Sequence, residues 1–490
     1  MAAEIERLPG VRRATLLVAT PANRQLLEQA GLLDEAAGGA RPTDLVLAVA
    51  AESEGAATSA LAEGRRLVAA AVSPTAEGSA ARPAPGTLAS ALAELPGANL
   101  ALVSTPGPYA TAEALKALKR GLHVFLFSDN VPAADEVLLK RVAVAKGLLM
   151  MGPDCGTAIL DGVPLGFANE VRRGRIGFVA ASGTGLQAVT CLVDRLGEGV
   201  SQAIGVGGHD LSEEVGGLMM QAGIERLLAD PGTAVLVLVS KAPAPVMAAR
   251  VLARVAGAKP IVVCFLGGDP APIRTAGAVP ATTLEDAARL AVTLARGGPD
   301  PLVAAEGGGS VDPELRATVE SAARGLGTGQ RRVAGLYIGG TLCAEAEIVM
   351  ATELGRSPAE LGHRLVDLGD DQYTVGRPHP MIDSRLRSER LVAAADDPRT
   401  GVVLLDVVLG HGSHPDPAGA LRPAITEART RAERASRRLL LIGSICGTAA
   451  DPQGLDRQEA ALRVAGVVLA SSNAEAARLA AIAALEAGRG

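Results

Sequence analysis

Residues 174–185, GRIGFVAASGTG, constrain the fold more than any other stretch of the chain. An apolar run over 176–180 stops at Ala181-Ser182-Gly183-Thr184-Gly185, and an amphipathic segment, LQAVTCLVDRLG, follows at once. That order reads as a strand, a tight turn and a helix start. Ser182 or Thr184 can cap such a helix, and the first backbone amides, unpaired within it, offer a place for an anion. No Lys-Ser/Thr pair closes the loop, so it is not a Walker A motif. Many α/β folds use the same turn only to begin a helix, so both uses stay open on this stretch alone.

A chain of 490 residues has room for about three domains. It contains no Trp and only 2% aromatic residues, too few to stack on bases, and its formal charge of -6 argues against a nucleic-acid surface. The five cysteines, at 155, 191, 264, 343 and 446, stand singly. Neither a zinc ribbon nor a disulfide framework follows, and a reducing cytoplasm is expected. The N-terminal MAAEIERLPGVRRATLLVA does not read as a signal peptide, and no apolar run approaches membrane-spanning length.

Along the chain, residues 1–80 give a helix, strand RATLLVA, helix NRQLLEQAGLL, strand DLVLAVAA and a further helix. This predicts a small α+β domain of split βαβ type that lacks its opening strand, so that the chain is expected to begin inside a domain. A Pro/Ala/Ser/Gly-rich linker spans 72–85. Over 86–165, strands ANLALVST, HVFLFS and LLMMG alternate with helices, which predicts a parallel, Rossmann-like sheet. A third unit, 170–298, opens with the SGTG turn and continues through AIGVGG, AVLVLVS and PIVVCFLGG. After a connector at 299–330, a fourth unit over 331–490 carries VAGLYIGG, HRLVDLG, GVVLLDVVLG, RLLLIGS and AGVVLAS. The third and fourth units read as two related, doubly wound, flavodoxin-like domains, whose ligands are expected at the glycine-rich turns after the strands.

The segments LMMGPDCGTAI (149–159), GRIGFVAASGTG, IGVGGHDLSEEVGG (204–217) and KPIVVCFLGG (259–268), in that order, resemble the α subunit of succinyl-CoA synthetase. The C-terminal unit is similar to the ligase domain that ends that enzyme's β subunit. A single chain fusing the two, with an extra N-terminal domain and the segments VSKAPAP, LGHGSHPDPAG and CGTAADPQGLDRQEA, resembles the FdrA proteins. The resemblance implies a Rossmann-like CoA-binding-type domain followed by two flavodoxin-like ligase domains.

It also implies where a phosphate would sit. Ser182, Gly183 and Thr184 match the family's phosphate turn, with Cys155 beside it. The loop holding His411, Gly412, His414 and Asp416 matches a second helix start facing the phosphate. Cys446, Gly447 and Thr448 form a third turn, with Asp451, Arg457 and Gln458 close behind. Two departures stand out. The family's phosphorylated histidine, in a Gly-His-Ala-Gly-Ala context, is matched by Arg274-Thr275-Ala276-Gly277-Ala278, and its acidic partner by Lys241. A Lys there favours a bound anion and cannot support an imidazolium. The glycine turn of the CoA pocket is missing, and only Pro106, Pro108 and Tyr109, with residues 128–132, have counterparts, so no cofactor is assigned.

Each site residue has a plainer reading beside the functional one. Cys155 reads equally as a buried thiol. His209 reads as a proton-transfer group or a surface turn residue. His411 and His414 with Asp416 invite a metal, but no third ligand is identified, and none is assigned. Arg457 reads as a carboxylate or phosphate fork or as part of a solvated helix face. Arg377 and His379, in GRPHPMID, read as a lid or a crossover loop. The resemblance implies a subunit of an oxamate carbamoyltransferase of allantoin breakdown, working with other protein subunits on carbamoyl phosphate and an oxamate-like acceptor. Lys241, His209, His411 and His414 are the catalytic candidates. The alternatives are an acyl-CoA ligase and a non-catalytic scaffold that keeps an inherited anion pocket.

Overall fold

The computed structural model describes residues 1–19, 23–24, 27–28, 31–34, 38–41, 44–72, 85–255, 259–298, 309, 311–374 and 378–488. They divide into two compact units, residues 1–91 with 370–379, and residues 92–369 with 380–490. The expected linker over 72–85, the first part of the 299–330 connector and Arg377 lie largely or wholly outside the described residues, and the expected helix over 23–33 lies partly outside them.

In the first unit, β1 (Val11–Val18) pairs with β2 (Leu45–Ala51). Helices Ala2–Ile5 and Glu54–Val72 belong to the same small core, which buries Ile5, Ala14 and Ala60. The α+β expectation holds. The two described strands pair directly and antiparallel, not as the parallel pair of a split βαβ element.

The second unit holds three sheets. In the first, β3 (Leu100–Val103), β4 (His123–Leu126) and β5 (Met150–Met151) run parallel, with helices Gly107–Lys119 and Ala133–Ala145 as crossovers. The second sheet is built from β6 (Thr157–Leu160), β7 (Val163–Gly166), β8 (Arg173–Ala180), β9 (Val200–Gly205), β10 (Val235–Lys241), β11 (Ile261–Leu266) and β12 (Val279–Pro280), in the order β12-β11-β10-β8-β9-β6-β7. Its five parallel strands follow the flavodoxin order. The third sheet, β14-β13-β15-β16-β17, repeats that order with β13 (Arg332–Tyr337), β14 (Arg364–Asp367), β15 (Thr400–Val408), β16 (Leu440–Cys446) and β17 (Val467–Ala470).

The hairpin β6–β7 corrects one boundary. Asp161 and Gly162 take φ of 51° and 79°, the left-handed pair of a two-residue hairpin turn. The chain folds back there and pairs Ile159 with Ala203 of β9, so residues 157–166 join the second sheet and not the Rossmann-like unit expected over 86–165.

Residues Val235–Ser240 of β10 and all nine residues of β15 are buried, as parallel strands covered on both faces must be. Helices Gly183–Arg195 and Leu284–Ala295 of one sheet pack on Gly340–Leu354 and Asn473–Ala487 of the other, and one apolar core runs through both. Alanine makes this possible: in NAEAARLAAIAALEA, small side chains bury nearly every face of the last helix against its neighbours. Gly205 shows how tight the β9 edge is, since a Cβ there would lie 2.2 Å from the Thr157 carbonyl oxygen. Gly205→Ala is therefore expected to lower stability by about 1–3 kcal/mol in urea denaturation. An unchanged midpoint and slope would contradict this packing.

Candidate functional site

Ser182 is the N-cap of helix Gly183–Arg195, its Oγ accepting from the Gly185 amide at 2.9 Å. The same hydroxyl lies 2.6 Å from Thr341 Oγ1, in the first turn of helix Gly340–Leu354. Two helix starts, one from each flavodoxin-like sheet, therefore meet. Strand order puts them there: β8 and β13 each lie where the order of their sheet reverses, beside β10 and β15, and that crevice is where such sheets bind ligands. The amides of Gly183, Thr184, Gly340 and Thr341 have no acceptor among the described residues. The approach is close at Gly339 too, where a Cβ would lie 3.0 Å from the Thr184 side chain.

The second helix start already carries charge. Asp406, buried in β15, accepts from the amides of Ile338 at 2.9 Å and Gly339 at 2.9 Å, and from Arg387 Nη1 at 3.4 Å. Burial lifts its carboxyl to about 6 against the pull of Arg387 and the two amides, and likewise lowers the pKa of the Arg387 guanidinium. Asp367, at the end of β14, stands so close that a Cβ on Gly340 would meet its Oδ2 at 2.4 Å. The two N-termini are thus unequal. The first offers bare amides, and the second is faced by carboxylates of its own sheet.

Lys241 ends β10, exposed, and its ammonium makes no hydrogen bond or ion pair with the described residues. Burial raises the Glu347 carboxyl and the Cys343 thiol of helix Gly340–Leu354, and the charge of Lys241 pulls both down; β10 runs beside β8 with Val239 opposite Ala180, so Lys241 stands at the sheet edge from which the first turn springs. Thr275, at the position matched to the phosphorylated histidine, is exposed and donates to the Ala271 carbonyl at 3.0 Å.

Cys155 stays next to the first turn, since a Cβ on Gly183 would meet Gly156 Cα at 3.6 Å and Thr157 Oγ1 at 3.5 Å, whereas the remaining expected site residues lie elsewhere. Cys155 is buried, its thiol pushed up to about 12 by desolvation, which makes it a protonated packing group. The turn at 446–448 does not join Ser182. It meets the far end of the same helix, where Cys446 Sγ lies 4.0 Å from Cys191 Sγ and Arg195 donates to the carbonyls of Ile445 and Gly447. Nine residues of helix separate Ser182 from Cys191, about 13 Å at 1.5 Å per residue. Thr448 spends its amide on Asp451 and its hydroxyl on the Glu170 carbonyl, so neither is left for an anion.

The loop at 410–416 packs on the hairpin exit. Gly410 and Gly412 press on residues 166–169, the His411 ring pairs with Glu170 at 2.7 Å, and His414 Nδ1 accepts from the Asp416 amide at 3.0 Å. The expected cradle of three turns, 182–184, 411–416 and 446–448, is thus replaced by a direct partner from β13. Arg457 folds back on the Gln453 carbonyl, and Gln458 holds Asp416. His209 is 75% exposed and stands 3.9 Å from the buried Glu136 carboxylate. Among the described residues no cluster of three or more His, Cys, Asp or Glu is disposed to hold a metal.

Sequence reasoning passed over Thr341, Asp406 and Asp367. The signal for Asp406 was available: a single acid inside GVVLLDVVLG, where every neighbour is apolar, needs partners in the fold.

The comparisons with known proteins agree with this architecture. A family described as CoA-ligase matches residues 336–483, one described as CoA binding domain matches 171–267, and one described as AllF, heavy metal-associated domain, matches 1–85. The YahF protein of Escherichia coli (strain K12) is 39% identical, over 97% of this chain and 93% of YahF. The succinate–CoA ligase (ADP-forming) subunit alpha-2 of Trichomonas vaginalis is 30% identical over 29% of this chain and 47% of that subunit. SauD, a subunit of the ADP-forming sulfoacetate-CoA ligase of Bilophila wadsworthia, is 26% identical over 36% of this chain and 61% of SauD. The chain thus aligns with about half the length of these ligase subunits.

Two groups implied by those matches can be tested against the residues present. Residues 1–85 contain neither Cys nor His, the donors a soft heavy metal needs, so they do not fit one. Coenzyme A needs donors for its diphosphate. At the start of helix Gly107–Lys119, Pro108 has no N–H, the Tyr109 amide is bonded to the Pro106 carbonyl, and Gly107 lies against the carbonyls of Asp129 and Asn130. Tyr109 itself is 64% exposed. The edge formed by Pro106, Pro108 and Tyr109 does not fit the diphosphate, and the CoA-binding match lies instead on the second sheet.

The helix that carries Thr341 is pinned by Glu345, whose buried carboxylate accepts from the Leu284 amide at 2.6 Å and from Asn473 Nδ2 at 2.8 Å. Burial lifts this carboxyl from 4.5 to about 7 against those two hydrogen bonds. A pKa raised on folding means that the folded chain holds the proton more tightly, so this contribution to stability is full below about pH 4.5 and is lost as pH rises to about 7. Glu345→Gln is expected to flatten the pH dependence of urea stability across that window. The exchange is compatible with the site because Asn473 Oδ1, buried without a partner, can accept from the new amide. An undiminished slope in the variant would contradict the assignment.

Proposed function

The chain belongs to the family of Escherichia coli YahF, and from that premise we propose that it is a succinyl-CoA-ligase-like enzyme subunit that handles an acyl phosphate without forming a phosphoenzyme. The substrate proposed is carbamoyl phosphate, with oxamate as the partner acid, in line with the resemblance to the FdrA proteins. The observation that carries the reading is a pairing of absence and presence. By the resemblance the position of the phosphorylated histidine is Thr275, while Lys241 ends β10, the strand beside β8, at the same edge of the sheet as the turn whose Gly183 and Thr184 amides are open.

A phosphate held there is met by the positive end of a helix and by an ammonium, and the position matched to the phosphorylated histidine carries Thr275 instead. In the transfer, the oxamate nitrogen bonds to the carbamoyl carbon, the carbon–oxygen bond to phosphate breaks, and the proton lost by the nitrogen leaves on the phosphate as hydrogen phosphate. Lys241 stabilises the departing phosphate, and the fixed amides hold it in line. The carboxylates of Asp406 and Asp367 limit how much negative charge the second helix start tolerates, which favours binding through the first. His209, His411 and His414 make the contacts described above and are not needed to hold the phosphate.

A second reading, an acyl-CoA ligase, is supported by the matches to CoA-ligase and CoA-binding families at 336–483 and 171–267. The two readings separate cleanly. The purified chain with its partner subunits, given carbamoyl phosphate and oxamate, is expected to release inorganic phosphate, and Lys241→Ala to slow that release by about a hundredfold. Release at the uncatalysed rate would refute the carbamoyl reading. Covalent retention of label from a nucleoside triphosphate together with saturable coenzyme A binding would establish the ligase reading in its place.

A further inference from the structure

Helix Arg385–Asp396 begins at Ser384, whose side chain makes no capping bond. The amides of Leu386 and Arg387, in its first turn, have no acceptor among the described residues. The positive end of this helix is therefore open.

A buried cation stands at the same place. Arg387 is 2% exposed. Its Nη1 and Nη2 are turned to Asp406, donating to the carboxylate and to the main-chain carbonyl. Its Nε–H is buried without an acceptor. An unmet donor is costly in an interior, and more so on a charged group.

Arg387 lines a cavity of about 20 Å³, whose walls come from its own helix, from β15 and from helix Pro417–Arg434. Ser384 and His414 line it too. The tautomer of His414 is fixed, because Nδ1 accepts from the Asp416 amide at 3.0 Å and the ring proton must sit on Nε2. Every polar side chain of the lining thus brings an N–H or O–H, and none brings a carboxylate or an amide oxygen. Ile338, Val408 and Leu421 are among the apolar side chains that complete the wall. The carboxylates whose pKa values His414 lowers are engaged elsewhere, Asp383 with Arg385 and Asp416 with Gln458.

Size and donors together select the occupant. The volume holds one particle of about water's size, too little for phosphate or a carboxylic acid. A water would find no side-chain acceptor there for its protons, whereas a monoatomic anion needs only donors. We infer that this cavity binds a monovalent anion of halide size, such as chloride, against Arg387 Nε, Ser384 Oγ and His414 Nε2. Arg387 also holds Asp406, which accepts from the amides of Ile338 and Gly339, so one guanidinium links the anion to the second helix start. The inference rests on these donors and not on the acyl-phosphate reading.

Crystals of the full chain grown in sodium bromide test it directly. An anomalous peak is expected in the cavity, within about 3.5 Å of Arg387 Nε. In solution, sodium chloride is expected to raise the melting temperature saturably above that in sodium gluconate at equal ionic strength. Ser384→Ala is expected to weaken the chloride response about tenfold, and Arg387→Lys, which keeps the charge but removes Nε–H, to abolish it. Lys241→Ala is expected to leave the response unchanged, which separates this cavity from the phosphate turn. Water density without an anomalous signal, an equal effect of gluconate, or a response untouched by Ser384→Ala would each overturn the inference. Should Arg387→Lys not fold, the bromide position in the unaltered chain still decides.

Discussion

The contact between Ser182 and Thr341 is the constraint on which the site depends. Two sheets whose five parallel strands follow the same order share one alanine-rich core, and that sharing brings the start of the first helix of one against the start of the first helix of the other. Neither helix start could be displaced without opening the core formed by Gly183–Arg195, Leu284–Ala295, Gly340–Leu354 and Asn473–Ala487. A chain with so few aromatics builds rigidity from close helix approach, and the same closeness fixes the site.

Electrostatics then distinguish the two halves. Asp406 and Asp367 place carboxylates at the second helix start, while the first keeps open amides at the sheet edge where Lys241 ends the neighbouring β10. The site has one strongly positive side, suited to an anion that comes and goes. In the proposed reading, Thr275 stands where the resemblance would put a phosphorylated histidine and so removes the covalent carrier, and Lys241, matched to that histidine's acidic partner, supplies a charge suited to holding phosphate itself. The two substitutions are chemically consistent with each other.

Much of this was readable from sequence because it rests on local patterns. The strand–turn–helix at 174–185 was visible from an apolar run ending at SGTG, and Ser182 is the cap it promised. The doubly wound units followed from strands alternating with amphipathic helices. The hairpin at 157–166 also had a local sign, Asp161-Gly162 between apolar residues, but its attachment to β9 is a long-range fact. The turns at 411–416 and 446–448 looked equivalent to those at 182–184 and 339–343, since all follow strands with glycines. What separates them is where a helix of thirteen residues lies across the sheet edge: its start touches Thr341 and its end touches Cys446. Burial of Asp406 and its grip on two amides likewise depend on which strands become neighbours.

The central claim is that phosphate rests unbonded against the first helix start, beside Lys241. A crystal structure determined with inorganic phosphate tests it most directly. The account expects the ion against the amides of Gly183 and Thr184, within reach of the Lys241 ammonium, with no side chain phosphorylated. Phosphate bonded to a side chain, or an empty turn with the ion bound elsewhere in the crevice, would contradict it.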